Sequence, residues 1–358
     1  MASAVRTTVL LHAPMFSNTP IPRALRALLL DRLWPLSGQQ ATGQDADHFE
    51  AYFAHFEQER SPAVLNHHAI QTFADFLTML EIICGNPTAS LTAIRSLVAA
   101  VNPGLCSDQP KLSASIELVV RLWLLVSVRI TMPARQHTYL LEVSLPWPDN
   151  LSLADVLQRH LSQPPPPAAS QVSTAERFSD HLNVVDMRKI TGVRVLWTAN
   201  LGEHLVSQDS CAYLFHHVAA LKRIRDSVSC NAFLPPAFVD ETLATINLLV
   251  PLEDGRCNAW LGGEIARLSL DDQLVYRKAA NRSKRGFVFW QDRLLAFSDA
   301  FDRARPSGLA QWWHDRRDMG RWWNYWLVVA GLGLTVLFGL VQSVTGILQV
   351  IGVGGGGS

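Results

Sequence analysis

Apolar positions at helical spacing run through most of the chain. The segment Arg23–Trp34 alternates Arg with Leu and Ala and is closed by Pro35, which predicts one amphipathic helix. Asp45–Glu59 and Pro62–Ile83 continue that periodicity, with Phe49, Phe53 and Phe56 spaced four and three apart. Ser115–Leu125 predicts a further helix. Val126–Thr131 and Thr138–Leu145 are richer in β-formers, are stopped by Pro133 and Pro146, and predict paired strands. Beyond Pro164–Pro167, Gly192–Thr198 predicts a strand, and Ser210–Asp226, Pro236–Leu249 and Leu268–Ala280 predict helices. Gly286–Arg303 predicts another helix, whose Trp290, Leu294, Phe297 and Phe301 form one apolar stripe before Pro306.

These elements divide the chain by composition. Residues 1–162 form a mixed α/β region. Residues 163–174 are a Pro-rich linker or loop, stiff and solvated by virtue of its four consecutive prolines. Residues 175–304 are helix-rich, residues 305–325 are rich in Trp and Arg, and residues 326–351 form a transmembrane helix. The Gly-rich tail at 352–358 reads as a linker added for expression, which puts the natural C-terminus near Val350 or Ile351. Thr8–Phe16 is too short for a signal peptide and is interrupted by His12 and Pro14. The expected class is α+β: a helix-rich cytosolic region with a small sheet, plus one C-terminal transmembrane helix.

The transmembrane assignment rests on Trp326–Val350, an uncharged run of 25 residues. At about 1.5 Å per residue it is long enough to cross a hydrocarbon core of about 30 Å with some tilt. Trp312, Trp313, Trp322, Trp323 and Trp326 crowd its N-terminal boundary together with Arg316, Arg317 and Arg321. Indole rings belong at headgroup depth, and cations are retained on the cytosolic side, so the bulk of the chain is expected to be cytosolic. Ser115–Met132 is not a second span, because Glu117, Arg121 and Arg129 lie within it.

One face of the anchor differs from the rest. Gly331, Thr335, Gly339, Gln342, Gly346 and Gln349 follow at spacings of four, four, three, four and three, along a single helical stripe. Glycines let helix backbones approach, and glutamine amides seek partners across the gap. The stripe therefore implies either a tight helix–helix interface or the wall of a water-filled pore, and both need oligomers or a partner helix.

Composition narrows the function. Lys+Arg and Asp+Glu are 31 each, which argues against a nucleic-acid partner. The five cysteines (Cys84, Cys106, Cys211, Cys230 and Cys257) form no CxxC pair and read as reduced core thiols. His216-His217 and His67-His68 are adjacent pairs whose side chains diverge on a helix, so they are poor chelators. Asp271-Asp272 and Asp240-Glu241 read as helix N-terminal caps rather than as metal-binding carboxylate pairs. No catalytic residue, metal site or cofactor is assigned; an enzyme is the weakest of three readings, behind a channel-like oligomer and a membrane-tethered regulatory protein. The expected partners are membrane lipids and further copies of the chain.

Leu196–Leu205 (LWTANLGEHL), Phe215–Val218, Val239–Leu243, Gln311–Arg317 (QWWHDRR), Phe338–Ser343 and Gly346–Gln349 resemble a family of filamentous-ascomycete membrane proteins, some labelled as CorA-like transporter-domain proteins. The resemblance runs from about Thr138 to Val350. It implies a fungal membrane protein with transport as its activity. CorA magnesium channels have two spans and a Gly-Met-Asn tripeptide between them; this chain has one predicted span and no such tripeptide, so no metal position carries over.

Overall fold

The computed structural model describes residues 10–36, 46–130, 143–161, 177–208, 211–275, 282–303 and 319–354. The N-terminal half is a set of packed helices: α1 (Arg23–Leu33), α2 (Glu50–Glu59), α3 (Phe73–Gly85), α4 (Leu91–Val101) and α5 (Gln109–Leu124). Helix α5 starts earlier than its periodicity implied, because Asp108 caps it and Pro110 lies in its first turn. Between α2 and α3 the chain does not run on as one helix. Pro62–His67 is a 3₁₀ turn, and a capping box restarts the helix: Thr72 Oγ1 accepts from Asp75 N (3.2 Å) while Asp75 Oδ2 accepts from Thr72 N (3.0 Å). Thr72→Ala is expected to cost about 1 kcal/mol, read as a shift in the chemical-unfolding midpoint.

Two small sheets follow. β1 (Val128–Arg129) pairs in parallel with β2 (Leu145–Pro146), so the two segments do pair, but Pro146 lies within the strand instead of stopping it, and residues 131–142 lie outside the described residues. After α6 (Leu153–His160), a π-turn at Met187–Thr191 ends on Gly192, whose φ of 74° is open to glycine at little cost. The chain then enters β3 (Arg194–Thr198). The second sheet has the order β3-β5-β4, with β4 (Ser207–Gln208) antiparallel and β3 parallel to the central β5 (Cys211–Phe215).

β5 corrects the sequence reading, which continued a helix from Ser210. Only Val218–Asp226 (α7) is helical there. A central strand covered on both faces shows a continuous apolar run instead of alternation, and CAYLF is such a run. α8 (Pro236–Leu249) forms where expected. The next helix, α9, spans Gly255–Leu268, capped by Asp254. It ends at Ser269 in the left-handed region (φ 53°), so the helix expected from Leu268 does not run through residues 269–275, where only a 3₁₀ turn, Asp272–Leu274, forms; the rest of that expected helix, 276–280, lies outside the described residues. α10 begins at Gln291 rather than Gly286 and runs to Arg303. It buries Leu294, Phe297 and Phe301, with Trp290 just ahead of it.

The Pro-rich 163–174 stretch lies outside the described residues, and the regions flanking it share one core. Trp123 of α5 packs edge-on against Phe233 (4.8 Å). Arg223 of α7, 8% exposed, reaches back to α1, binding Asp31 Oδ1 (3.0 Å) and donating to Trp34 O (3.2 Å). Its burial is tolerated because both the charge and the N–H groups find partners. Leu201 N donates to Leu125 O (2.7 Å), and Asn200 Oδ1 accepts from Ser127 N (3.1 Å), which ties the β3 corner to the end of α5.

The last element, α11, is one helix from Met319 to Gly354. It begins before the uncharged run and continues into the Gly-rich tail. Within it, Trp322–Ile347 is long and apolar enough to cross a bilayer, and none of that stretch is buried against the rest of the chain.

Candidate functional site

Two regions carry the polar groups singled out above: the exposed anchor and a buried network beneath α10. On the anchor, the structure places all six stripe residues on α11. Gly331, Thr335, Gly339, Gln342 and Gly346 are exposed; for Gln349 the structure describes only the helical backbone. A Cβ built at Gly331, Gly339 or Gly346 would meet nothing within 4 Å, so this flank is open to a neighbouring backbone. Thr335 Oγ1 donates to Gly331 O (2.9 Å), Ser343 Oγ to Gly339 O (2.8 Å), and Thr345 Oγ1 to Val341 O. These hydroxyls are satisfied within their own helix. The amide of Gln342 is the group left to face outward.

Trp312, Trp313, Arg316 and Arg317 lie outside the described residues, whereas Arg321, Trp322, Trp323 and Trp326 fall in the opening turns of α11. Trp322 packs on Trp323 (5.1 Å) and Trp326 (6.3 Å), and Tyr325, which the sequence reading passed over, packs on Trp326 (5.5 Å). At about 100° per residue these four rings occupy an arc of about 160° and leave about 200° free. The stripe falls in an arc of about 80° inside that gap, and so does Asn324. Sequence reading missed Asn324 because it looked for polarity only within the uncharged run.

The buried network is built from α8, α10 and the β3–β4 corner. Glu241, 7% exposed, accepts from Val288 N (2.8 Å) and Trp290 N (2.7 Å) and so caps the start of α10 rather than that of its own helix. Trp290 Nε1 donates to Thr242 Oγ1 (2.8 Å). Thr245 Oγ1 donates to Thr242 O (2.6 Å) and lies 2.6 Å from His204 Nε2, while His204 Nδ1 accepts from Phe215 N (3.2 Å). Those directions fix the tautomer: the proton of His204 is on Nε2. Burial, together with the Arg293 guanidinium, pushes the pKa of His204 down to about 3. Arg293 stacks on Trp290 (5.1 Å) and donates to the carbonyls of Gly202 and His204. Both nitrogens of His204 are committed, so it is a structural group and not a base.

The remaining candidate pairs also resolve. Asp271 is a cap, as expected, and a double one: it accepts from Gln273 N (2.9 Å) and from Ala219 N (2.6 Å) at the start of α7. Burial raises its carboxyl to about 6. Asp240 is exposed and pairs with Arg225 (3.2 Å) instead of capping. His68 stacks on Phe16 (5.1 Å), and His67 is exposed. An open cavity of about 340 Å³ beside α7 is lined by His48, Lys222 and Arg223, which already bind Asp272, Gln273 and Asp31. Among the described residues no group of three or more His, Cys, Asp or Glu side chains is set to hold a metal ion. Sequence reading missed His55, which α2 brings to the His216-His217 pair; no motif links positions so far apart.

No family model, curated protein or solved structure matches the chain. The resemblance drawn from the sequence therefore rests on its own motifs.

Proposed function

We propose that the chain is a C-terminally anchored membrane protein that self-associates through the Gly331–Gln349 face of α11 and holds its body at the cytosolic surface. The observation that carries this reading is the coincidence of the stripe with the gap in the aromatic girdle. Rings at headgroup depth belong on the side that meets lipid, and the side free of these four rings is the one that presents Gly331, Thr335, Gly339, Gln342 and Gly346, with Phe338 further along at its edge. Small residues there allow the close backbone approach that helix pairs need in a bilayer. Orientation is supported by Arg316, Arg317 and Arg321, which precede the span.

Cysteine cross-linking in membranes tests the face. A cysteine at position 342 is expected to cross-link efficiently and one at Leu340 poorly; the reverse pattern would remove the proposal. Protease treatment of sealed vesicles is expected to leave a small C-terminal fragment, whereas protection of the body would reverse the orientation.

A second reading, a pore or transporter lined by the same stripe, is favoured by the outward amide of Gln342. It has less support than packing, because the Thr335 hydroxyl spends its one donated hydrogen on Gly331 O and offers only lone pairs outward.

A further inference from the structure

A second histidine cluster behaves unlike His204. His217 stands between β5 and α7 with no exposed surface, and neither of its ring nitrogens has a hydrogen-bond partner. The adjacent His216 ring lies 3.9 Å away, centroid to centroid, and its Nδ1 is likewise buried without a partner. From α2, the His55 ring approaches His217 to 5.5 Å. The other walls are aromatic: Phe215 at 5.8 Å and Tyr52 at 6.3 Å, both edge-on. A neutral imidazole tolerates such a place at some cost, but an imidazolium has neither solvent nor a counter-charge there.

We propose that His216 and His217, packed against His55 of α2, form an acid-sensitive latch between α2 and the β5–α7 turn, closed while these two rings are neutral and opened when they take up protons. Among the described residues, the charged groups of the surrounding elements do not relieve it. On α2, Glu57 is bound to Arg26 and Glu59 to Arg121 of α5. The Tyr52 hydroxyl donates to Leu122 O. On α7, Arg223 is bound to Asp31 and Lys222 to Gln273, and Asp271 spends its oxygens on Ala219 N and Gln273 N. The charges that act on His216 and His217 are those of neighbouring histidines, which oppose protonation.

The direction of the response follows from linkage. In the closed state burial lowers the pKa of His216 to about 3 and that of His217 well below 6.5. Once opened, both regain an ordinary value near 6.5, so the open state binds more protons below that pH and opening is favoured as the pH falls. Two histidines shift the opening equilibrium by about 100-fold per pH unit below 6.5. Asp271 works the other way: its closed-state value of about 6 lies above that of a free carboxyl. If it leaves α7 as the latch opens, the shift falls to about ten-fold per unit below pH 6.

Hydrogen exchange of the full-length chain in lipid nanodiscs at pH 7.5 and 5.5, normalised to the unstructured rate at each pH, tests the latch. Peptides covering residues 50–59 and 211–226 are expected to lose protection by about ten-fold or more in acid, while α8 and α10, around the fully bonded His204, keep theirs. His217→Phe keeps a ring in place without a titrating nitrogen and is expected to hold the seam closed at pH 5.5. If that variant does not fold, His216→Gln serves instead and is expected to weaken the acid response by about ten-fold per pH unit. The proposal is overturned if protection at the seam is the same at both pH values, if the whole body opens at once, or if the variants respond like the parent. One equivalent of tightly bound transition metal in the purified chain would also overturn it, since the ring nitrogens of His216 and His217 would then be ligands.

Discussion

Replacing Glu241 by alanine is expected to lower the unfolding free energy of the body by about 2–4 kcal/mol, from one charge-assisted hydrogen bond lost in a buried place and a second lost at its half-exposed edge. Both oxygens of Glu241 are used, on Val288 N and Trp290 N, and the residue is 7% exposed. Alanine would leave the buried N–H of Trp290 unpaired at the start of α10 and release that of the more exposed Val288. The harm would spread, because Trp290 holds Thr242 through its indole nitrogen and carries Arg293 on its face. Glu241→Gln keeps one accepting oxygen and turns an NH₂ toward the other N–H, so it is expected to cost about half as much. Chemical unfolding followed by tryptophan fluorescence measures both changes. A loss under about 1 kcal/mol for the alanine variant would mean that the cap does not stabilise α10.

Glu241 also marks where the sequence stopped being readable. Its acidic pair with Asp240 was legible as a cap, but which helix it caps depends on a partner more than 40 residues downstream. Local signals were read well wherever one helix face met one core. Pro236–Leu249 starts on a proline in its first turn, and the Trp290, Leu294, Phe297, Phe301 stripe is buried as its spacing implies. They failed where the core covers both sides of an element. CAYLF in β5 offers no alternation, and HHVAAL after it continues the apolar run, so the strand and the following helix merged into one reading. α9 was missed because Gly262 and Gly263 interrupt a weak pattern, yet both sit on an open face where a missing side chain removes no contact. The histidine latch was illegible for a different reason. His55 and His217 meet only through the packing of α2 on the β5–α7 turn, and neither has a spacing that announces it.

The C-terminal helix was the most legible part, since length and apolarity of the kind a bilayer imposes are carried by consecutive residues, here Trp322–Ile347. It is also where substitution is expected to change function most. Gly339→Leu would place a branched side chain where a Cβ now meets open space, holding two helices apart at the centre of the stripe. Self-association, measured by energy transfer between labelled chains at increasing lipid dilution, is expected to fall by more than ten-fold. Gln342→Leu keeps the bulk and removes the amide, so it is expected to weaken association by about 0.5–2 kcal/mol per interhelical bond lost. Leu340→Ala, on the face of α11 opposite the stripe, serves as the control and is expected to leave association unchanged. Ion flux across liposomes carrying the same variants then separates packing from conduction. If the stripe packs, the parent protein passes no ions and Gln342→Leu alters association alone. If it lines a pore, the parent conducts, and Gln342→Leu abolishes flux while the oligomer survives, because a ring of leucines favours dewetting. Equal association of the parent, Gly339→Leu and Gln342→Leu would remove the stripe from both readings and leave α11 as an anchor alone.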